Sequence, residues 1–215
     1  MSYRIIFATG NEGKMKEVRE ILEGIGMPVL SMKEAGIRVQ ITEDGKTFEE
    51  NALIKARAVH ACCGDIVLAD DSGLEVDFLN KAPGIYSSRF LGEDTSYEIK
   101  NRYIIDRLDG VEGPERSARF VCAIAAVFPD GQEAVKRGTV EGWIAKTPAG
   151  ENGFGYDPIF LLPERGVTTA QIPPEEKNEI SHRGRALRAV RPMIEAWLGS
   201  ARQSACCTAD GEGHS

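Results

Sequence analysis

The sequence predicts a mixed α/β (α+β) fold in which helices flank one long central mixed sheet. Three observations carry this reading. The chain opens with a strand, a glycine-bearing loop and a helix, the order that feeds a parallel sheet. A second apolar strand at 66–70 ends at adjacent carboxylates, Asp70-Asp71. Residues 116–144 then read as a long antiparallel hairpin, so strands of both kinds share the sheet.

Taken in order, residues 3–9 (YRIIFAT) are β-branched and aromatic and stop at Gly10-Asn11, as a buried strand before a tight turn would. From Lys14 onward, Met15, Val18, Ile21, Leu22 and Ile25 fall at helical spacing, and Gly24 and Gly26 end the run. Short strands are predicted near 28–32 and 37–41. Thr47 precedes Glu50 by three residues, the capping-box pattern, and starts a helix burying Phe48, Ala52, Ala56, Val59 and Cys63. Asn51 and Lys55 share a neighbouring face of it. After the strand at 66–70 a turn is expected at Asp71-Ser72-Gly73, then a strand at 74–77, an irregular stretch at 80–90 and a helix near 95–108. Along 116–128, Ala118, Phe120, Cys122, Ile124, Ala126 and Phe128 alternate onto one face, and Pro129-Asp130-Gly131 turns the chain into a return strand at 132–144. The last helix spans 181–198, capped by Ser181, with Leu187, Val190, Ile194, Trp197 and Leu198 buried and Pro192 expected to kink it. Beyond Gly199 the sequence is polar and aperiodic, so 1–199 reads as one domain and 200–215 as a disordered tail.

Length and composition bound the function. At 215 residues the chain fits one sizeable domain, or two lobes around one cleft, and its 42% apolar content supplies a core without disulfides or structural metal. A net charge of −7 argues against nucleic acid polymer as a partner and leaves room for a small phosphorylated ligand held by a local basic cluster. Cysteines 62, 63, 122, 206 and 207 have neither zinc nor redox spacing; their odd number and the absence of a signal peptide point to the cytoplasm. No stretch is long and apolar enough for a membrane span.

Four segments carry chemistry. Thr9-Gly10-Asn11-Glu12-Gly13-Lys14 sits at a strand-to-helix junction, where glycines admit close approach, helix N–H groups favour anions and a lysine adds charge. It is not a P-loop, because Ala8 and Met15 stand where that motif needs Gly and Ser or Thr. The bland alternative is a capping turn with surface lysines. Asp70-Asp71-Ser72-Gly73 follows an apolar strand, and carboxylates beyond a strand's carboxyl end are placed to hold a metal; Glu43 or Asp44 offers a further carboxylate. The alternative is an exposed acidic turn. Gly153-Phe154-Gly155-Tyr156-Asp157 sets glycines between aromatic residues, either as a bulged strand or as a platform for a planar ring. Finally, Lys177, His182, Arg183 and Arg185 gather donors where the last helix begins, or form a solvated helix face.

Together and in this order, ATGNEGK, EDGKTFEENALIKA, LADDSGLEVD, APGIYSSRF, PAGENGFGYDPIF and EEKNEISHRGRAL resemble the inosine triphosphate pyrophosphatase family (XTP/dITP diphosphatases) over residues 3–198. The resemblance implies a two-lobed fold with a cleft between lobes, usually a homodimer. It also implies Mg²⁺-dependent hydrolysis of ITP, dITP and XTP to monophosphate and pyrophosphate. By motif position it implies Asp71 as general base and metal carboxylate, with Ser72 beside it and Glu43 as second metal carboxylate. It assigns ligand contacts to Thr9, Gly10, Asn11, Glu12, Gly13, Lys14 and Lys55, and to Phe154, Gly155, Tyr156, Asp157, Lys177, His182 and Arg183. Selectivity for a 6-oxo purine would come from donors such as Arg183, His182 or a backbone N–H near Phe154, which adenine's amino group leaves unpaired. Competing readings are a non-catalytic nucleotide sensor, a pyrophosphatase for modified pyrimidine nucleotides, and thiol chemistry at Cys62-Cys63 or Cys206-Cys207.

Overall fold

The computed structural model describes residues 3–209, with side chains through Ala201. Strand β1 (Ile5–Phe7) is wholly buried and leads through Asn11 into helix α1 (Glu12–Ile21). The Asn11 side chain caps that helix, accepting from the Lys14 amide at 3.1 Å. Strand β2 (Val29–Ser31) follows as expected. Helix α2 (Phe48–Cys63) begins where the capping pattern put it: Thr47 Oγ1 accepts from the Glu50 amide, and Gly64 ends the helix at φ 67°. Residues 37–41 do not form the expected strand. Ile37, Val39 and Ile41 pack against the cluster beneath α2 without joining a ladder, so apolar alternation there reports burial alone.

The largest departure lies at the paired carboxylates. Strand β3 runs unbroken from Ile66 to Val76, with no turn at Asp71-Ser72-Gly73. Gly73 serves a crossing rather than a bend. A Cβ there would lie 2.3 Å from the Gly84 carbonyl and 2.5 Å from Ser87 Oγ, atoms of a loop laid across the strand. Helix α3 (Tyr97–Arg107) precedes the hairpin of β4 (Ser117–Val127) and β5 (Glu133–Ile144), as expected. Strands β6 (Phe160–Leu162) and β7 (Val167–Thr168) complete a seven-stranded sheet of order β2-β1-β3-β4-β5-β6-β7. The β2-β1-β3 pairs are parallel and the remainder antiparallel, which makes the sheet mixed.

Helices α4 (Pro174–Ile180) and α5 (His182–Ala209) close the chain. Ser181 caps α5 by accepting from the Gly184 amide at 3.0 Å, and Pro192 lies inside it. The helix continues beyond Gly199 to Ala209, into the stretch expected to be disordered, while 210–215 lie outside the described residues.

Both faces of the β3–β4 sheet are covered, so β4 is buried on its two sides rather than one. Ile66, Leu68, Cys122 and Ile124 meet α1 and α5, while Val67, Ala69, Val121 and Ala123 meet α2. A third cluster, including Leu74, Ile104, Phe120 and Phe160, fills the other half of the molecule. The far halves of β3, β4 and β5 thus leave the first core and enter another.

Candidate active site

A cleft of about 380 Å³ gathers the chemistry-bearing segments. Thr9, Gly10, Asn11, Lys14, Glu43, Lys55, Asp71, Ser72, Phe154, Gly155, Tyr156, Asp157, Lys177, His182 and Arg183 all line it. Two predicted contacts are not among the lining residues: Glu12 is exposed on α1, and Gly13 packs beside the Phe154 ring, 3.2 Å from where its Cβ would sit. Asp44 is likewise exposed, leaving Glu43 as the carboxylate of that loop that reaches the cleft. Arg185 turns away and donates to the Thr139 carbonyl.

Because successive side chains in a strand point to opposite faces, Asp70 and Asp71 occupy different environments. Asp70 pairs across the ladder with Ile124 and shares the face of α1 and α5; Asp71 pairs with Ala123 and shares the face of α2. Asp70 is buried, 2.8 Å from Lys14 Nζ and 3.3 Å from Arg183 Nη2, and accepts from Ser72 Oγ at 3.2 Å. Burial would raise its pKa, but Lys14, Arg183 and Lys55 outweigh burial and hold the carboxyl far below the ordinary aspartate range.

Asp71 receives the Asn51 amide at 3.1 Å and the Ser72 backbone N–H at 3.1 Å. Burial pushes it up to about 6, against the pull of Lys55 and the Asn51 hydrogen bond, with Glu43 adding to the rise. Lys55 ties the Glu43 loop to β3: its Nζ lies 3.0 Å from the Glu43 carboxylate and donates to the Asp70 backbone carbonyl at 2.9 Å.

The donors of the last two helices form a second, buried ion net. Lys177 lies 2.7 Å from Asp157 and 3.2 Å from Glu17, and Arg183 also pairs with Glu17. Burial would raise the Glu17 pKa, but Arg183 and Lys177 override it and hold the group ionised. The Phe154 ring sits over both cations, 5.1 Å from Lys177 Nζ and 5.7 Å from the Arg183 guanidinium carbon. His182 stacks on Phe120 at 4.8 Å; burial first, then Arg183 and Lys177, keep the imidazole neutral. Close packing of β5 against the start of α5 holds this edge, since a Cβ on Gly138 would lie 2.2 Å from the His182 carbonyl.

Two expected base-reading donors are already engaged. The Phe154 N–H donates to Asp157 Oδ2 at 2.8 Å, and both Arg183 Nη atoms serve Glu17, Asp70 and Ser72, leaving only buried Nε without a partner. Glu17, Asn51, Ser87, Ser88, Tyr97 and Phe120 also belong to the cleft or its supports and were not singled out as ligands from sequence. A glutamate between Met15 and Val18 on the buried stripe of α1 was the one readable signal among them.

The cleft can hold a divalent cation. Glu43 and Asp71 both reach it, and Glu43 raises the Asp71 pKa, so a cation between these carboxylates would relieve their repulsion. Among the described residues no group of three or more His, Cys, Asp and Glu forms a metal cage. Two carboxylates with open space suit a hard ion that keeps water and phosphate oxygens as its other ligands.

The fold and cleft define a mixed α/β protein whose cleft sets lysines beside carboxylates. The chain belongs to the Ham1 family, whose model matches residues 5–193. It is similar to the dITP/XTP pyrophosphatase of Bacillus subtilis (46% identity over 191 residues, covering 89% of this chain and 96% of that protein). It is also similar to that of Thermus thermophilus (46% over 194 residues, 90% and 91%). Among solved structures, the Staphylococcus aureus Ham1 protein matches with a TM-score of 0.80 at 40% identity, covering 90% of this chain and 98% of that one. A HAM1 protein from Coxiella burnetii matches with a TM-score of 0.81 at 39% identity, covering 89% and 98%.

Proposed function

We propose that this protein is a nucleoside-triphosphate pyrophosphatase that hydrolyses dITP, XTP and ITP to the monophosphate and pyrophosphate with Mg²⁺. The observation that carries the reading is the pairing, in one cleft, of a carboxylate with raised pKa and a set of fixed cations. In the metal-free cleft the Asp71 carboxyl is pushed up to about 6, above the ordinary aspartate range, and is still ionised at pH 7. The names of the relatives support the substrate class.

Lys14 and Lys55 hold the triphosphate oxygens at the end of the cleft nearest Asp71. Asp71 takes the proton from a water aimed at the α-phosphorus, and Asn51 fixes the carboxylate's orientation. Asp70 stays ionised and keeps Lys14 and Arg183 in place. Bound by Asp71 and Glu43, Mg²⁺ would supply a Lewis acid that neutralises charge on the triphosphate. The base stacks on Phe154, whose ring Lys177 and Arg183 support, while neutral His182 lies against Phe120 beyond it. With the Phe154 N–H and the Arg183 Nη atoms engaged, 6-oxo recognition falls to Arg183 Nε, His182 and the remaining backbone of 155–156.

A homodimer working in the cytoplasm belongs to the same reading. The free cysteines Cys62, Cys63 and Cys122 suit a reducing compartment. No helix among the described residues is long and apolar enough to cross a membrane.

The test is pyrophosphate release from dITP, XTP, ITP, GTP and dUTP at one concentration, with and without Mg²⁺. Turnover of the first three, lost on chelation, is expected. Binding without turnover would replace this reading with a sensor, and preference for dUTP with a pyrimidine-directed enzyme.

A further inference from the structure

Helix α3 contributes Tyr97 to the cleft wall, but its most unusual residues lie one turn further on, behind the wall. Lys100 is 1% exposed and has no ion-pair partner among the described residues. Its Nζ donates to the Ser88 carbonyl at 2.7 Å and lies 4.8 Å from the centre of the Tyr97 ring. An ammonium buried without a counter-charge is costly, and an apolar side chain of equal length would fill the space more cheaply. What the lysine alone supplies is a tether to Ser88 and to the face of Tyr97. Asn101, the next residue, is also buried and donates from Nδ2 to the Gly155 carbonyl at 3.1 Å.

Ser88, Tyr97 and Gly155 all line the cleft, and they come from three segments of the chain: the loop before α3, α3 itself and the 153–156 loop. These segments also touch directly, since the Tyr156 hydroxyl donates to the Ser87 carbonyl at 2.8 Å and the Tyr97 and Tyr156 rings meet edge-on at 5.2 Å. One turn of one helix thus holds Ser88 through Lys100 and Gly155 through Asn101.

We infer that Lys100 and Asn101 are positioning residues that fix Ser88, Tyr97 and Gly155 in place at the nucleoside end of the cleft. They touch no substrate; they act through Ser88, Tyr97 and Gly155. The inference rests on the pyrophosphatase reading only for its assay. The phosphate end, held by Lys14, Lys55 and Asp71, is anchored on other elements, so loosening the walls weakens nucleoside binding more than the chemical step.

The experiment compares the full-length protein with Lys100→Met and Asn101→Ala, using dITP, XTP and GTP, with folding checked by circular dichroism. A rise in KM for dITP or XTP of about tenfold is expected, with kcat within about threefold and weaker discrimination against GTP. Lys100→Arg, which keeps a donor for the Ser88 carbonyl, should recover part of the KM. Folded variants with unchanged KM and unchanged discrimination overturn the inference. So does failure of both variants to fold, which would make the pair a requirement of the fold. If the wild-type protein releases no pyrophosphate, the activity reading fails instead, and the same variants are compared for dITP affinity by calorimetry. Equal affinities there overturn the inference.

Discussion

Replacing Asp71 by Asn should make the metal-free protein more stable as well as inactive, and the gain should depend on pH in a defined way. Burial raises the Asp71 carboxyl from the ordinary 3.8 to about 6. Between those values the folded state holds a proton that the unfolded state has lost, so wild-type stability falls as pH rises through that window. The full penalty is present above pH 6 and absent below 3.8. Such a displacement corresponds to about 3 kcal/mol. The Asn side chain does not titrate, but one of its two polar atoms faces the Asn51 amide or the Ser72 N–H as a donor, a constant cost of about 1–3 kcal/mol. The useful quantity is therefore the change in the stability difference with pH. Urea unfolding of both proteins with EDTA should show the difference moving in the variant's favour by about 1.5 kcal/mol between pH 5 and pH 7.5. Adding Mg²⁺ at pH 7.5 should stabilise the wild type and leave the variant nearly unchanged. A difference independent of pH, or one moving toward the wild type, would refute the argument that burial strains Asp71.

Turnover and unfolding between them give four more tests. Asp71→Asn should lose several orders of magnitude in rate with native circular dichroism; near-wild-type turnover would remove Asp71 as the base. Glu17→Gln leaves buried Lys177 and Arg183 with one carboxylate fewer, and should cost about 3–5 kcal/mol in denaturant unfolding. Phe154→Ala should raise KM by a factor corresponding to about 1–3 kcal/mol of lost stacking, with a smaller effect on kcat. Gly138→Ala forces a methyl against the His182 carbonyl and should destabilise by about 1–3 kcal/mol while raising KM, measured by thermal unfolding and kinetics together.

What could be read from the sequence was local. The caps at Thr47 and Ser181 sit where their side chains satisfy helix N–H groups within three residues, so short-range chemistry placed two helix starts, whereas the cap at Asn11 lies in what reads as a turn. The lysines, Asp71 and the Phe154 segment line the cleft because each is set by its own element. The break expected at Asp71-Ser72-Gly73 failed because Ser-Gly is turn chemistry in isolation. Here the glycine answers a loop that crosses from Gly84 to Ser87, a contact set by tertiary packing. Lys100 and Phe120 were illegible as cleft supports for the same reason: Ser88 and His182 are each distant from them in the chain. Helix α5 continues beyond Gly199 although its residues there lack the apolar periodicity that marks a packed helix.

The two adjacent aspartates of β3 are chemically identical and differ only in parity. Odd and even positions of the strand open onto different rooms, one walled by α1 and α5 and the other by α2. Insertion or deletion of a single residue between Ile66 and Asp70 would exchange them, turning the strained acid toward Lys14 and its partner toward Asn51. Changes of length that the loops around Gly92 or Pro129 would absorb are therefore forbidden in this short run, and the reading frame of a sheet face becomes a constraint on how the gene can vary.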